Sequence, residues 1–335
     1  GLTGALIFLA MGKAPGIALY IYFIEPLTSW SGLSEVAVKA GPLILIGIGL
    51  SVGFRAGVWN IGAEGQFIAG ALLGSAPAVY FYDSTNLLIL PAMLVLGALG
   101  GALYALIPAL CKVRFGASEI LTTLMLVYVA ELTLDYLVRG PWRDPQGFNF
   151  PKTADFDPSA VVPVLFEGTR VNAGGIITLV VVVAAAVILK RTIKGFEIRI
   201  VGGAPKAARF AGFDANRLTI FTLMVSGALA GLAGIIEVAG PIGRLQPSIS
   251  PGYGFTAIIV AFLGRLNPFG VLIAGLFLAL TFIGGEGAQI SMKIPLDLTK
   301  VLQGILLFYV LACDSMIVFR IRFLRTFRKL EHGSA

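Results

Sequence analysis

Residues 54–66 read Phe54-Arg55-Ala56-Gly57-Val58-Trp59-Asn60-Ile61-Gly62-Ala63-Glu64-Gly65-Gln66. The apolar run Val36–Val52 before this stretch has Lys39, at its outer end, as its one acid, base or amide. The run Phe67–Tyr82 after it carries no charge. Within 54–66 sit one Arg, one Asn, one Glu, one Gln and three glycines. Backbone exposed to lipid must satisfy its hydrogen bonds internally, and charges at membrane depth are costly. Such a segment has to pack against protein or line a wet cavity. An interruption of this kind is the usual pointer to a permeation pathway.

The rest of the chain supports a membrane reading. Of 335 residues 57% are hydrophobic and only 13% charged, about half the charge of a soluble domain; the mean hydropathy is +0.90. The net charge of +7 fits cytoplasmic loops rich in Lys and Arg and not nucleic-acid binding, for which no aromatic RNA-binding motif is present. Cys111 and Cys313 are far apart and read as single thiols. His332, in the tail, cannot supply a histidine-based metal or acid–base site, and no metal-ligand set is visible.

Ten apolar stretches are candidate spans: Leu2–Met11, Val36–Phe54, Ile61–Tyr82, Leu87–Leu110, Ser118–Val138, Gly174–Leu189, Leu218–Val238, Tyr253–Leu263, Phe269–Gly284 and Leu298–Phe319. The expected fold is an all-α polytopic membrane protein, one transmembrane domain over 1–335, with an internal repeat and interrupted helices. Leu2–Met11 is too short to span and reads as a truncated first helix. Tyr253–Leu263 reads as a half-helix. Alternating the spans gathers Lys112, Arg114, the cluster within Lys190–Arg217, Arg265 and the run Arg320–Lys329 on one side. That side is therefore cytoplasmic, with both termini inside. The terminal basic run reads as an anchor to anionic membrane lipid. Residues 139–173 form an external loop or cap, with short strand or helix pieces, and 190–217 the largest cytoplasmic loop.

Within the cytoplasmic loop, Pro205 suits the first position of a helix, Ala207, Ala208 and Ala211 favour helix, and Gly212 suits its stop. Lys206 and Arg209 share one side, and Phe210 and Phe213 offer apolar knobs. So short a helix is marginal alone: it either docks onto a partner or rests on anionic lipid. No P-loop pattern occurs, so a docked partner would bring the motor.

Three separated stretches, 54–66, 202–212 and 251–268, resemble the permease subunits of bacterial ABC importers, in the branch of simple-sugar and nucleoside permeases that stands beside the branched-chain amino acid permeases. The form running from Arg55 to Gln66 looks most like nucleoside-uptake permeases. The resemblance implies two membrane subunits, often non-identical, over two cytoplasmic ATPases that use ATP and Mg, with an external binding lipoprotein delivering substrate in the bacterial inner membrane. This chain would bind no cofactor and carry no chemistry. Gly203, Pro205, Lys206, Ala207, Ala208, Arg209 and Gly212 would form the coupling helix. Relatives often carry Asn where this chain has Ala204, so the usual helix cap, about 1 kcal/mol, is absent.

The stretches 55–66 and 240–255 occupy comparable places in the two halves. Both are expected to line the translocation path at a subunit interface. Asn60, Glu64, Gln66, Gln246, Ser248 and Tyr253 would offer hydrogen bonds to ribose hydroxyls or base edges. Trp59 and Phe255 would stack on a base. The structural alternative is that Arg55 and Glu64 pair to hold the bend. Glu131, Asp135, Glu237 and Asp314 are relay candidates under a rival reading as an ion-coupled carrier. An intramembrane enzyme finds no nucleophile–base or metal constellation. The substrate expected from the resemblance is a purine nucleoside, with a ribose-like sugar as the alternative.

Overall fold

The computed structural model describes residues 2–82, 84–295 and 297–318. The expectations for Arg320–Lys329, His332 and the end of the tenth span at Phe319 lie outside the described residues, as does the side chain of Asp314. In chain order the helices are α1 (Leu2–Ala10), α2 (Pro15–Phe23), α3 (Trp30–Arg55), α4 (Ala63–Tyr80), α5 (Ile89–Phe115), α6 (Glu119–Arg139), α7 (Gly174–Arg191), α8 (Ile193–Gly203), α9 (Pro205–Phe210), α10 (Ala215–Glu237), α11 (Tyr253–Leu263), α12 (Pro268–Met292) and α13 (Asp297–Val318). Their ends follow local chemistry. Ser29 accepts from the Gly32 N–H at 3.0 Å to start α3, and Asp214 accepts from Asn216 at 2.9 Å to start α10. Such caps satisfy N–H groups that a helix leaves open. Gly116 closes α5 with φ 65°.

Among the described residues, six helices are long and apolar enough to cross a membrane: α3, α5, α6, α7, α12, and α10 extended by a π turn to Ile242. Ten spans were expected. The 9 residues of α1 reach only about 14 Å at 1.5 Å per residue. After a turn at Gly12, φ 69°, comes a second short helix, α2, which lies outside the ten candidate spans. The 18-residue α4 carries Glu64 and Gln66 in its first turn and is buried along most of its length, so protein, not lipid, is its solvent. The half-helix expected at 253–263 is α11, with 11 residues.

The centre of the molecule is α10, packed on α5, α4 and α3, with α11 and α12 against α3. Lipid tails are as apolar as leucine, so helices in a membrane associate through close packing instead of water exclusion. Here the contact is made by glycine. Gly97 and Gly101 of α5 face Gly227 and Gly231 of α10, and Gly70 of α4 also meets Gly231. A Cβ on Gly101 would lie 2.8 Å from the Gly231 Cα and closer still to the Gly227 carbonyl oxygen. No side chain fits there.

The segment 139–173 is more than a connector. Thr153 N–H donates to the Leu245 carbonyl at 3.0 Å, Phe156 N–H to Gly243 at 2.8 Å and Val162 N–H to Ala239 at 2.8 Å. It braces the second interrupted stretch. Its expected short pieces are a 3₁₀ turn at Pro158–Ala160 and a single bridge between Val164 and Asn172.

Gly101→Leu should cost about 1–3 kcal/mol or more through overpacking, read as a lower thermal midpoint in detergent. The same change at Gly175, where a Cβ meets nothing within 4 Å, should leave the midpoint unchanged.

Candidate functional site

After α3 the chain runs without helix from Ala56 to Gly62. Its N–H groups find partners one by one. Val58 N–H donates to the Gly53 carbonyl at 3.0 Å, Trp59 N–H to Glu119 Oε1 at 3.4 Å, Ile61 N–H to Thr123 Oγ1 at 3.2 Å and Gly62 N–H to Asn60 Oδ1 at 3.1 Å. Glu119 is held in turn by Lys112. Asn60 also donates to Gln66 Oε1 at 2.8 Å and Ser226 Oγ at 3.0 Å, and accepts from Gln66 Nε2 at 3.2 Å. Asn60 and Gln66 are fully buried and spend their hydrogen bonds on each other and the scaffold.

This strand-like segment runs antiparallel to α11. Trp59 stacks near Phe262, with ring centroids 5.9 Å apart, and near Phe54 at 5.1 Å. At the other end Glu64 accepts from the Gly254 N–H at 2.5 Å. Gly254 lies in the first turn of α11, where a carboxylate is favoured by the exposed N–H groups and helix dipole. A Cβ on Gly254 would sit 2.6 Å from the Glu64 Cα. The 11-residue α11 spans about 16 Å, roughly half the hydrocarbon core of ~30 Å. The two interrupted stretches therefore enter from opposite ends and meet deep inside the molecule.

Arg55 and Glu64 do not pair with each other. Arg55 Nε donates to the Leu266 carbonyl at 2.9 Å, tying the end of α3 to the turn between α11 and α12. Glu64 joins the halves at the opposite end of the segment.

The second stretch borders a polar cavity of about 260 Å³ lined by Lys39, Arg170, Glu237, Gln246, Ser248 and Ser250, with no aromatic ring in its wall. Ser250 Oγ accepts from the N–H groups of Gly252 at 3.1 Å and Tyr253 at 3.0 Å, which starts α11. Glu237, buried, accepts from the Tyr253 hydroxyl at 3.2 Å. Lys39 lies 3.5 Å from Glu286 and 5.8 Å above the Tyr253 ring. Arg170 forms a two-point pair with Glu35, and that carboxylate raises the guanidinium pKa above its ordinary value. Lys39 and Arg55 are sixteen residues apart on α3, about 24 Å, so the cavity opens at the end opposite Arg55.

Of the residues expected along a path, Gln246 and Ser248 line this cavity. Tyr253 is fully buried behind it, Asn60, Glu64 and Gln66 are internal, and Trp59 and Phe255 are each 41% exposed and outside its wall. The reading of the sequence missed Lys39 and Arg170 as a pair of cavity cations, because partners 131 residues apart along the chain leave no local signal. It also missed Ser226 and Thr123, small hydroxyls within apolar helices.

At the Arg55 end the region read as a loop contains α8 and α9. Thr192 caps α8 by accepting from Gly195 N–H at 3.2 Å. Ala204 precedes α9 without a side-chain cap, and Gly212 closes its C-terminal turn with φ 81°. Ala208 is buried, whereas Lys206, Ala207 and Arg209 are exposed and Phe210 is 94% exposed. Pro205, Lys206, Arg209, Phe210 and Phe213 border an open hollow of about 530 Å³. Gly203 has open space where its Cβ would be.

Residues 32–311 match the family described as the branched-chain amino acid transport system permease component. The chain belongs to this permease family. It is 37% identical to the glucose ABC transporter permease TsgB13 of Haloferax volcanii, over 95% of this chain and 86% of that one. It is 31% identical to the nucleoside ABC transporter permease NupB of Lactococcus lactis, covering 92% and 87%. It is 29% identical to the guanosine ABC transporter permease NupP of Bacillus subtilis, covering 91% of each. A solved inward-facing conformation of a putative metal-chelate type ABC transporter aligns with a TM-score of 0.47, 18% identity and 84% coverage of both chains. The permease is a multi-pass transport subunit and not an enzyme.

In this permease, Glu64→Leu should leave the Gly254 N–H buried without a partner and cost about 1.5–3 kcal/mol, measured as thermal unfolding in detergent. Glu64→Gln keeps an acceptor oxygen and should lose less.

Proposed function

We propose that this permease is one membrane half of an ATP-driven importer for an uncharged, hydroxyl-rich solute, a nucleoside or a simple sugar. The observation that carries the reading is the meeting of the two interrupted stretches at Glu64 and Gly254, beside the polar cavity, in a chain of the permease family. The cavity wall offers Gln246, Ser248, Ser250 and Glu237 for hydroxyls. The cavity's cations are already engaged, Arg170 with Glu35 and Lys39 with Glu286, which leaves them poorly placed to bind an anion. The glucose permease supports a sugar. The nucleoside and guanosine permeases support a nucleoside. A ribose or hexose ring is common to both.

The motor is a separate cytoplasmic ATPase that uses ATP and Mg and docks on α9. Its support is an exposed Phe210 beside two exposed cations, Lys206 and Arg209, on a helix too short to stand alone. A second permease subunit and an external binding lipoprotein complete the assembly in the cytoplasmic membrane. The cavity end faces outward, and the α9 end and both termini face the cytoplasm. Lys206 and Arg209 suit an acidic rim on the ATPase, and Phe210 suits an apolar pocket within it.

Two measurements test this reading. Purification of the tagged chain from its host in mild detergent should bring along a Walker-motif ATPase, and uptake of glucose or guanosine into proteoliposomes by that complex should require ATP. Arg209→Glu should lower the recovered ATPase by about tenfold, as for a charge reversed at a docking surface. Uptake driven by an ion gradient without ATP would overturn the proposal.

A further inference from the structure

The structure assigns Gly202 as the point through which movement of the docking helix reaches the interrupted segment. This inference rests on the importer reading and names how its motor end is joined to its path.

The joint is a contact between two backbones. Gly202 lies near the end of α8, three residues before Pro205 opens α9. A Cβ there would run into the Arg55 carbonyl oxygen, would lie 2.8 Å from the Arg55 carbonyl carbon and 3.1 Å from that of Ala56. From the other side, an added Cβ on Gly57 would sit 3.8 Å from the Gly202 Cα. A glycine is needed at Gly202 for this close approach, not for its backbone angles, since it is not among the positive-φ glycines.

The two units also share one small core. Val201 of α8 and Ala208 of α9 are buried together with Val52 and Ala56 at the end of α3 and with Val58 of the interrupted segment. Packed interiors resist continuous deformation and transmit displacement. A shift of α9, carried by the adjoining α8, would therefore press on residues 55–58. Arg55 then links that pressure to the other half through its bond to Leu266. From residue 58 the segment continues to Glu64 and its bond to Gly254. The neighbouring Gly203 makes no such contact. Gly202 and Arg55 are thus positioning residues, acting on the path through the segment between them.

The test uses the whole complex with its binding protein in proteoliposomes, with radiolabelled glucose and guanosine as probes, and reads solute taken up per ATP hydrolysed. A merely structural defect lowers both quantities together, whereas a broken joint changes their ratio. Gly202→Ala should keep the ATPase bound and hydrolysing while the ratio falls about tenfold, the scale of coupling changes along a contact network. Gly175→Ala, another helical glycine whose Cβ would meet nothing within 4 Å, should leave the ratio unchanged. Should Gly202→Ala fail to assemble, Arg55→Gln provides a second reading: it loses the bond to Leu266 and should lower the ratio about threefold with ATPase recovery unchanged. A wild-type ratio in an assembled Gly202→Ala or Arg55→Gln complex overturns the inference and leaves the importer reading standing. A wild-type chain that brings no ATPase and needs no ATP overturns both.

Discussion

The rest of the structure depends on one constraint: a peptide N–H or carbonyl buried away from water must have a partner. Two stretches of this chain leave the helix and still run through the interior. Each survives because other parts of the protein supply the missing partners. Asn60, Thr123 and Glu119 serve the first. Thr153, Ser250 and the backbone of residues 153–162 serve the second. Where the stretches meet, the Glu64 carboxylate and Gly254 N–H serve each other. The polar residues that look most like a binding motif are thus largely engaged in holding an irregular backbone in place.

Close packing follows from the same surroundings. With no water to exclude between helices, the central α4, α5 and α10 approach through glycines until their backbones touch. The same device recurs at Gly202, where a surface helix lies against the end of α3. Glycine-lined contacts let one rigid element lie on another without an intervening side chain to absorb motion. Open space is found at both ends of the molecule, in a polar cavity beside the second stretch and in the hollow around α9.

This arrangement suits a transport subunit that receives its solute at one end and its work at the other. The cavity holds charges that are already paired, Arg170 with Glu35 and Lys39 with Glu286, so it presents hydrogen-bonding groups without a strong net field. A solute with many hydroxyls fits such a wall, and it need not be held tightly if an external protein delivers it. The docking end has the opposite character, with exposed cations and a projecting Phe210 on a helix anchored by a single buried alanine face at Ala208.

The sequence by itself determined the environment, the helical class, the interruption at 54–66, the half-length of α11 and the start and stop of α9. These follow from hydropathy, Pro and Gly placement and helix length, all of which act over a few residues. Its three motifs were also enough to point to the permease family, and residues 32–311 match that family. Only the tertiary structure decided what the polar residues do. Glu64 pairs with a backbone N–H 190 residues away, and Arg55 with a carbonyl 211 residues away, not with each other. Asn60 turns inward to Ser226 and Gln66, while Lys39 and Arg170 come together at a cavity. Hydrogen bonds are short-ranged and directional, so their partners are set by which helices lie side by side, and here that is set by the glycine contacts among α4, α5 and α10.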